Sequence, residues 1–109
     1  MLNLFSIHIL DRTKLKVMQA TLKPTQIDKE VISSLPFHSD KKIQQHPKLM
    51  EQIQNATRLG NGYRGKVYIY FEDDDGLKCV NTTIWAHGAK FICLKGGVWL
   101  SINRIVEIK

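Results

Sequence analysis

The sequence has little cysteine, no long apolar run, no internal repeat and no low-complexity segment. Its two cysteines, Cys79 and Cys93, are too few for a disulfide scaffold, and both lie among apolar residues, which is typical of buried reduced thiols. Residues 2–10 are apolar but far short of the roughly 20 residues that a membrane-spanning helix needs. No basic region precedes them and no small-residue cleavage site follows them, so we expect a cytoplasmic protein without membrane association.

Residue patterns for metal binding and catalysis are also missing. The histidines and cysteines show no C-x-x-C, H-x-x-x-H or comparable spacing. The acidic run Glu72–Asp75 lacks the alternating oxygen ligands of a calcium loop, and we interpret it as the solvated tip of a hairpin. Cys79 and Cys93 are expected to be buried, and the sequence places no base beside Ser101. We therefore predict no metal, no cofactor and no enzymatic activity.

The charge balance of the chain is basic. Its 109 residues include 16 lysines and arginines against 10 aspartates and glutamates, which gives a net charge of +6. Residues 1–62 carry +4 and residues 63–109 carry +2, so the excess is spread along the chain. A basic surface makes nucleic acid a permissible partner, although such a surface can also be no more than a solvated one.

The first 62 residues predict a hairpin followed by helices. Residues 2–10 and 15–22 are apolar on either side of a polar turn, which favours two antiparallel strands. Residues 15–22 also fit a helical stripe, so strand and helix both remain open there.

Two helices are predicted after this segment. In the first, Thr25 is the N-cap, Pro36 is the stop, and the apolar stripe is formed by Ile27, Val31 and Leu35. The second runs from Pro47 to Leu59 and ends at the glycines of residues 60–62. Its buried face is expected to consist of Leu49, Ile53 and Ala56.

From Tyr63 onward the hydrophobic period changes from 3.6 to 2, which predicts strands. In the first strand Val67, Ile69 and Phe71 face one way. The second strand, Leu77–Ala86, alternates imperfectly, and a bulge or bend near Val80-Asn81 would explain this. The remaining elements are expected as strands at Lys90–Leu94, Val98–Leu100 and Ile105–Ile108, with a 3₁₀ turn at Ile102–Arg104 before the last of them.

This order of elements resembles the SH3-like and Sm-like five-stranded barrels. In addition, TTIWA at 82–86, LKGG at 94–97 and INRI at 102–105 together resemble a group of small Bacteroidetes-type bacterial proteins. The second resemblance implies relatives but no activity. We predict an α+β protein with an N-terminal hairpin and helical segment (1–62), followed by a five-stranded SH3-like or Sm-like antiparallel barrel or bent meander (63–109).

The candidate binding residues are aromatic and basic. If Val67 and Leu100 face inward, then Tyr68, Tyr70 and Trp99 face outward, and Trp85 joins them if the second strand bends suitably. The predicted site consists of Tyr68, Tyr70, Trp99, Lys66, Lys95 and Arg104. Two functions follow as alternatives: a module for protein interaction or self-assembly, or a single-stranded RNA- or DNA-binding module. A covering helix or second subunit would instead bury these rings.

Overall fold

A computed structural model describes residues 24–109, so the hairpin predicted within residues 2–22 lies outside the described residues. The described part is α+β, with one α-helix, two 3₁₀ helices and seven strands in two sheets. The helical elements are the first 3₁₀ helix Lys29–Ser34, α1 Leu49–Tyr63 and the second 3₁₀ helix Ile102–Arg104. The strands are β1 Thr25–Gln26, β2 Val67–Asp73, β3 Gly76–Thr82, β4 Ile84–His87, β5 Phe91–Leu94, β6 Val98–Ser101 and β7 Ile105–Ile108.

The helix predicted at 25–35 is correct only in part, because the helix that forms is the 3₁₀ helix Lys29–Ser34. Thr25 and Gln26 instead pair in parallel with β3, and the N–H of Ile27 donates to the carbonyl of Cys79. A 3₁₀ helix follows, in which Ile32 is buried while Val31 is 40% exposed. Tertiary pairing with the edge of β3 therefore replaced the first turn of the predicted helix, since a helix this short is only marginally stable by itself.

Helix α1 confirms the second predicted helix and its buried face, since Leu49, Ile53 and Ala56 are all buried. The predicted stop at Gly60 is wrong, because the helix continues to Tyr63. It ends at Arg64, whose φ of 55° lies in the left-handed region, and whose N–H donates to the Gly60 carbonyl. The N–H of Gly65 donates to the Leu59 carbonyl, so the last turn is closed by backbone bonds typical of a helix C-terminus.

Gly60 has a different role, since it allows α1 to cross β4 at close range. A Cβ at this position would lie 2.3 Å from the Ile84 carbonyl oxygen and 2.9 Å from Cγ2 of Thr83. Only a residue without a side chain fits there, so the glycine is required by packing within the helix.

The strands form two separate sheets, with the orders β1-β3-β2-β7 and β4-β5-β6. Val67, Ile69 and Phe71 are buried along β2, as their alternation predicts. The long predicted second strand divides at Thr83, rather than bending at Val80-Asn81, and its two parts, β3 and β4, enter different sheets. The buried side chains of β3 and of β4 can therefore each reach the common core from their own sheet.

One hydrophobic core joins both sheets, α1 and the first 3₁₀ helix. Its members come from either side of the predicted boundary at Gly62, with Ile32 and Ile53 packed in the same cluster as Ile69 and Leu94. Within residues 24–109 the two sheets stay separate, and no closed barrel forms. The core thus fixes which face of each sheet points outward, and those outer faces carry the candidate site.

Candidate functional site

The predicted aromatic residues lie on two different sheets. Tyr68 and Tyr70 belong to β2 in the first sheet, and Trp99 belongs to β6 in the second. Both sheets contribute buried side chains to the shared core, and their exposed side chains lie on the side away from it. The three residues predicted as one row therefore belong to two different sheets.

The outer face of the first sheet is mixed in charge. Tyr68 is 42% exposed, and Lys66 just before β2 is exposed as well. Tyr70 is half-buried between Cys79 and Glu107, which are its partners on the two neighbouring strands. Burial raises the pKa of the Tyr70 hydroxyl. The Nζ of Lys109 lies 5.7 Å from the ring centroid of Tyr70, where it also approaches the Glu107 carboxylate at 3.7 Å.

Three aromatic side chains share the outer face of the second sheet. Trp99 and Phe91 alternate along their strands with Leu100 and Ile92, which are buried in the core, so both rings point away from the core. The pairing of β4 with β5 shifts between Ile84 and Ala86, which leaves Trp85 in a bulge of the edge strand β4. Trp85, Phe91 and Trp99 are 47%, 47% and 61% exposed, and we call these three residues the outer aromatic face.

Phe91 was missed by the sequence-based prediction. Its alternation with Ile92, which is fully buried, was the signal that could have identified it. The sequence left open whether Trp85 faces outward, because this depended on where the second strand bends. In the structure the register shifts after Ile84, and the Trp85 side chain in that bulge is exposed.

The charged residues in the segment that carries the outer aromatic face, residues 76–106, are all basic. Lys90 immediately precedes β5 and Lys95 immediately follows it, and both side chains are exposed. No acidic residue occurs between Gly76 and Val106, a stretch that contains all three strands of this sheet. Among the described residues, neither lysine forms a salt bridge.

The turn that contains Lys95 has the geometry predicted for a tight turn. Gly96 and Gly97 have φ of 90° and 82°, and the N–H of Gly97 donates to the Leu94 carbonyl. Positive φ at two successive positions explains the pair of glycines. Lys95 is thus exposed in the turn between β5 and β6, at the end of the sheet.

Arg104 is placed differently from the other predicted site residues. It is buried, with 5% of its surface exposed, and its guanidinium lies 5.4 Å from the Phe37 ring centroid. Nη2 donates to the Ser39 carbonyl at 2.7 Å and to the Asp74 carboxylate at 3.0 Å, while Nη1 donates to the Glu72 carbonyl at 3.3 Å. These bonds hold the loop at 37–39 against the β2–β3 hairpin, which is an architectural role.

The acidic run at 72–75 is not the solvated tip that the sequence suggested. Asp73 is fully buried, and its Oδ1 accepts the N–H groups of Asp75 and Gly76 and the ammonium of Lys78. Asp74 accepts hydrogen bonds from the Ser39 hydroxyl, the His38 N–H and Arg104. The bonds from Ser39, His38 and Arg104 hold the pKa of Asp74 well below its ordinary value.

A groove runs along one side of the outer aromatic face. The first 3₁₀ helix and the loop after it form one wall, and the ends of β5 and β6 with the second 3₁₀ helix form the other. The residues that line it include Ser33, Phe91, Trp99, Ser101, Asn103 and Arg104. None of its lining residues is acidic.

Other chemistry is sparse within residues 24–109. In that range, no group of three or more His, Cys, Asp or Glu side chains is arranged to hold a metal ion. Both cysteines are buried and reduced, and burial raises the pKa of the Cys79 thiol. No helix in the same range has the length and apolar character needed to cross a membrane.

No protein-family model, curated protein or solved structure matches the chain.

Proposed function

We propose that this protein is a non-enzymatic binding module whose outer aromatic face binds single-stranded nucleic acid. One observation supports this most strongly: three exposed aromatic rings share a sheet face that has lysines at both ends of its central strand and no acidic residue. Bases stack on exposed aromatic rings, and nearby lysines attract the phosphates.

Exposure of these rings has an energetic cost that a ligand would offset. Covering a large aromatic side chain stabilises a protein by about 1.5–3 kcal/mol, and this face leaves three of them between 47% and 61% exposed. A stacked base covers a ring while leaving its own sugar and phosphate hydrated, which suits a surface rimmed by Lys90 and Lys95.

The other outer face is a poorer candidate for the same ligand. Glu107 lies directly opposite Tyr70 there, and a carboxylate repels phosphate. Arg104, which the sequence suggested as a contact, already gives its guanidinium hydrogens to Ser39, Glu72 and Asp74. From the predicted set the proposal therefore keeps Trp99 and Lys95, and it adds Trp85, Phe91 and Lys90.

The test is fluorescence anisotropy of a labelled dT12 oligonucleotide at 50 and 200 mM salt. Neutralising two phosphates of a single strand gives a salt slope of about −1.4, so we expect binding to weaken by about sevenfold over this range. Stacking on three rings gives an expected Kd in the micromolar range at the lower salt. Absence of binding at 50 mM salt would refute the proposal.

Two matched variants locate the surface. Trp99→Ala removes the most exposed of the three rings and should weaken binding by about fivefold or more, since one base stack contributes about 1–3 kcal/mol. Tyr68→Ala removes an exposed ring from the other sheet and should leave the Kd unchanged. Equal losses for the two variants would contradict the choice of face.

Protein interaction or self-association is the second candidate. The order β4-β5-β6 leaves β6 at an edge of its sheet, and the exposed ring of Trp99 lies on that strand. An edge strand beside an apolar face can pair with another chain. Sedimentation equilibrium distinguishes the two: a dimer that Trp99→Ala dissociates, together with no binding of dT12, would favour this candidate.

We also propose an SH3-like arrangement for residues 64–108, in a cytoplasmic protein related to the Bacteroidetes-type group. The supporting features are the division of the second strand between two sheets, the 3₁₀ helix Ile102–Arg104, and the pairing of β7 with β2. An experimental structure in which β7 pairs elsewhere would refute the arrangement. Fractionation of the source cells tests the location.

A further inference from the structure

A depression adjoins the groove beside the outer aromatic face. The two share three lining residues, Phe91, Ser101 and Asn103, so they are continuous with one another near the start of β5. Among residues 24–109, Lys90 is the only charged residue that lines this depression. A strand of nucleic acid that leaves the rings in this direction therefore passes a lysine and no carboxylate.

A second depression continues from the first. It shares Gln45 and Ile102 with the first, and its remaining lining comes from residues 46–51, around the start of α1. Lys48 in this lining is exposed, and within the described part of the chain it forms no salt bridge. The groove and the two depressions thus form one continuous path, which we call the furrow, from the outer aromatic face to the start of α1.

Hydrogen bonds to the backbone fix the part of the furrow that leads to Lys48. Nε2 of Gln45 donates to the carbonyls of Ile102 and Ile105, at 2.7 and 3.0 Å. The N–H of His46 donates to a carbonyl of β7 at 2.8 Å. The segment that carries Lys48 is therefore held against the same strands that carry the rings, so a ligand contacting both meets a preorganised surface.

The charges along the furrow suit a phosphate backbone as far as Lys48. Glu51, at the far end, is the only carboxylate in its lining among residues 24–109, so an anionic strand should end its path there. We propose that a nucleic-acid strand bound on the outer aromatic face continues along the furrow and places a further phosphate at Lys48, an inference that rests on the proposed function.

The experiment compares the salt dependence of binding of dT4 and dT12, measured by fluorescence anisotropy. Three rings stack no more than three bases, so dT4 reaches the phosphate contacts at Lys90 and Lys95 alone and should show a salt slope of about −1.4. A third phosphate contact gives dT12 a slope of about −2.1. Its binding should then weaken by about eighteenfold between 50 and 200 mM salt, instead of the sevenfold that two contacts give.

Two lysine variants test the position of the third contact. Lys48→Gln removes the charge and keeps an exposed polar side chain, so the slope of dT12 should fall to about −1.4 while that of dT4 stays unchanged. Lys66→Gln is the matched control, because Lys66 is also exposed and lies just before β2, on the other sheet. This control should leave both slopes unchanged.

The outcomes separate the two proposals. Equal slopes for dT4 and dT12, with binding that remains sensitive to Trp99→Ala, would overturn the path along the furrow and leave the proposed function standing. A slope for dT12 that Lys48→Gln does not change, or that Lys66→Gln lowers equally, would overturn the contact at Lys48. No binding of dT12 at 50 mM salt would overturn the proposed function and this inference with it.

Discussion

The crossing of α1 over β4 makes a sharp prediction, because two glycines of the same helix lie in opposite surroundings. Gly60 is buried against the Ile84 carbonyl, and Gly62 has no atom within 4 Å of the position where a Cβ would be. Replacing either by alanine removes the entropic cost of a glycine in a helix, which is about 1 kcal/mol. Any difference between the two variants therefore reports the packing at Gly60.

The size of the effect follows from the contact distance. An alanine Cβ at residue 60 would lie 2.3 Å from a backbone oxygen, whereas ordinary contact begins near 3.4 Å, so helix and strand must separate by about 1 Å. Ile84 is fully buried and its carbonyl cannot rotate away as a side chain could. Overpacking of this kind costs roughly 1–3 kcal/mol or more. We expect Gly60→Ala to lose about 1–2 kcal/mol net, and Gly62→Ala to gain about 0.5–1 kcal/mol.

Urea denaturation followed by circular dichroism measures both free energies of unfolding. Because 1 kcal/mol shifts the Tm of a domain this small by roughly 4–8 °C, thermal melts should separate the two variants by about 10 °C. If Gly60→Ala is neutral or stabilising, α1 does not contact β4 as described. An unchanged denaturant slope is the control for a native state of the same compactness.

Two further predictions concern the hydrogen-bonded carboxylate of Asp74 and the two buried thiols. Asp74→Asn should lower the free energy of unfolding near neutral pH and make it depend less on pH. Because the folded-state pKa of Asp74 is depressed, its contribution is present above the unfolded pKa of about 3.9 and is lost as the pH falls further. The melting temperatures at pH 7 and pH 3 should therefore differ less in the variant than in the unmodified protein. A variant with the same acid dependence as the parent would contradict the hydrogen bonds from Ser39 and Arg104. Cys79 and Cys93 should react with a thiol reagent such as DTNB slowly in the folded state and rapidly in urea, because both are buried; fast reaction of two thiols in the native protein would disprove this.

Much of the secondary structure was predictable because the local pattern and the packing agree. The period-2 alternation of Val67, Ile69 and Phe71 predicted β2 and its buried face, and Ile102–Arg104 was predicted as the 3₁₀ turn that the structure contains. The buried face of α1 was predicted from the spacing of its apolar residues. In these segments one hydrophobic face meets one core, so local periodicity carries the needed information.

The errors occurred where distant residues compete with local signals. Residues 25–26 form a strand because the edge of β3 is available for pairing. Gly60, which was expected to end α1, instead lies inside it, where its missing side chain lets β4 approach. The acidic turn has the composition of a solvated loop, yet Asp74 accepts hydrogen bonds from Ser39 and Arg104, which are 35 and 30 residues away in sequence. Hydrogen bonds across such separations leave no periodic signal.

The proposed binding surface was likewise predictable from the sequence only in part. By itself the sequence determined that this chain is basic, that its C-terminal half forms strands, and that aromatic side chains alternate with core residues. Only the tertiary structure decided which aromatic residues lie together. The break at Thr83 sends β3 and β4 into different sheets, which separates Tyr68 from Trp99 and brings Trp99 together with Trp85 and Phe91. Alternation states which residues face outward, but the pairing of strands distant in sequence determines which outward faces are shared.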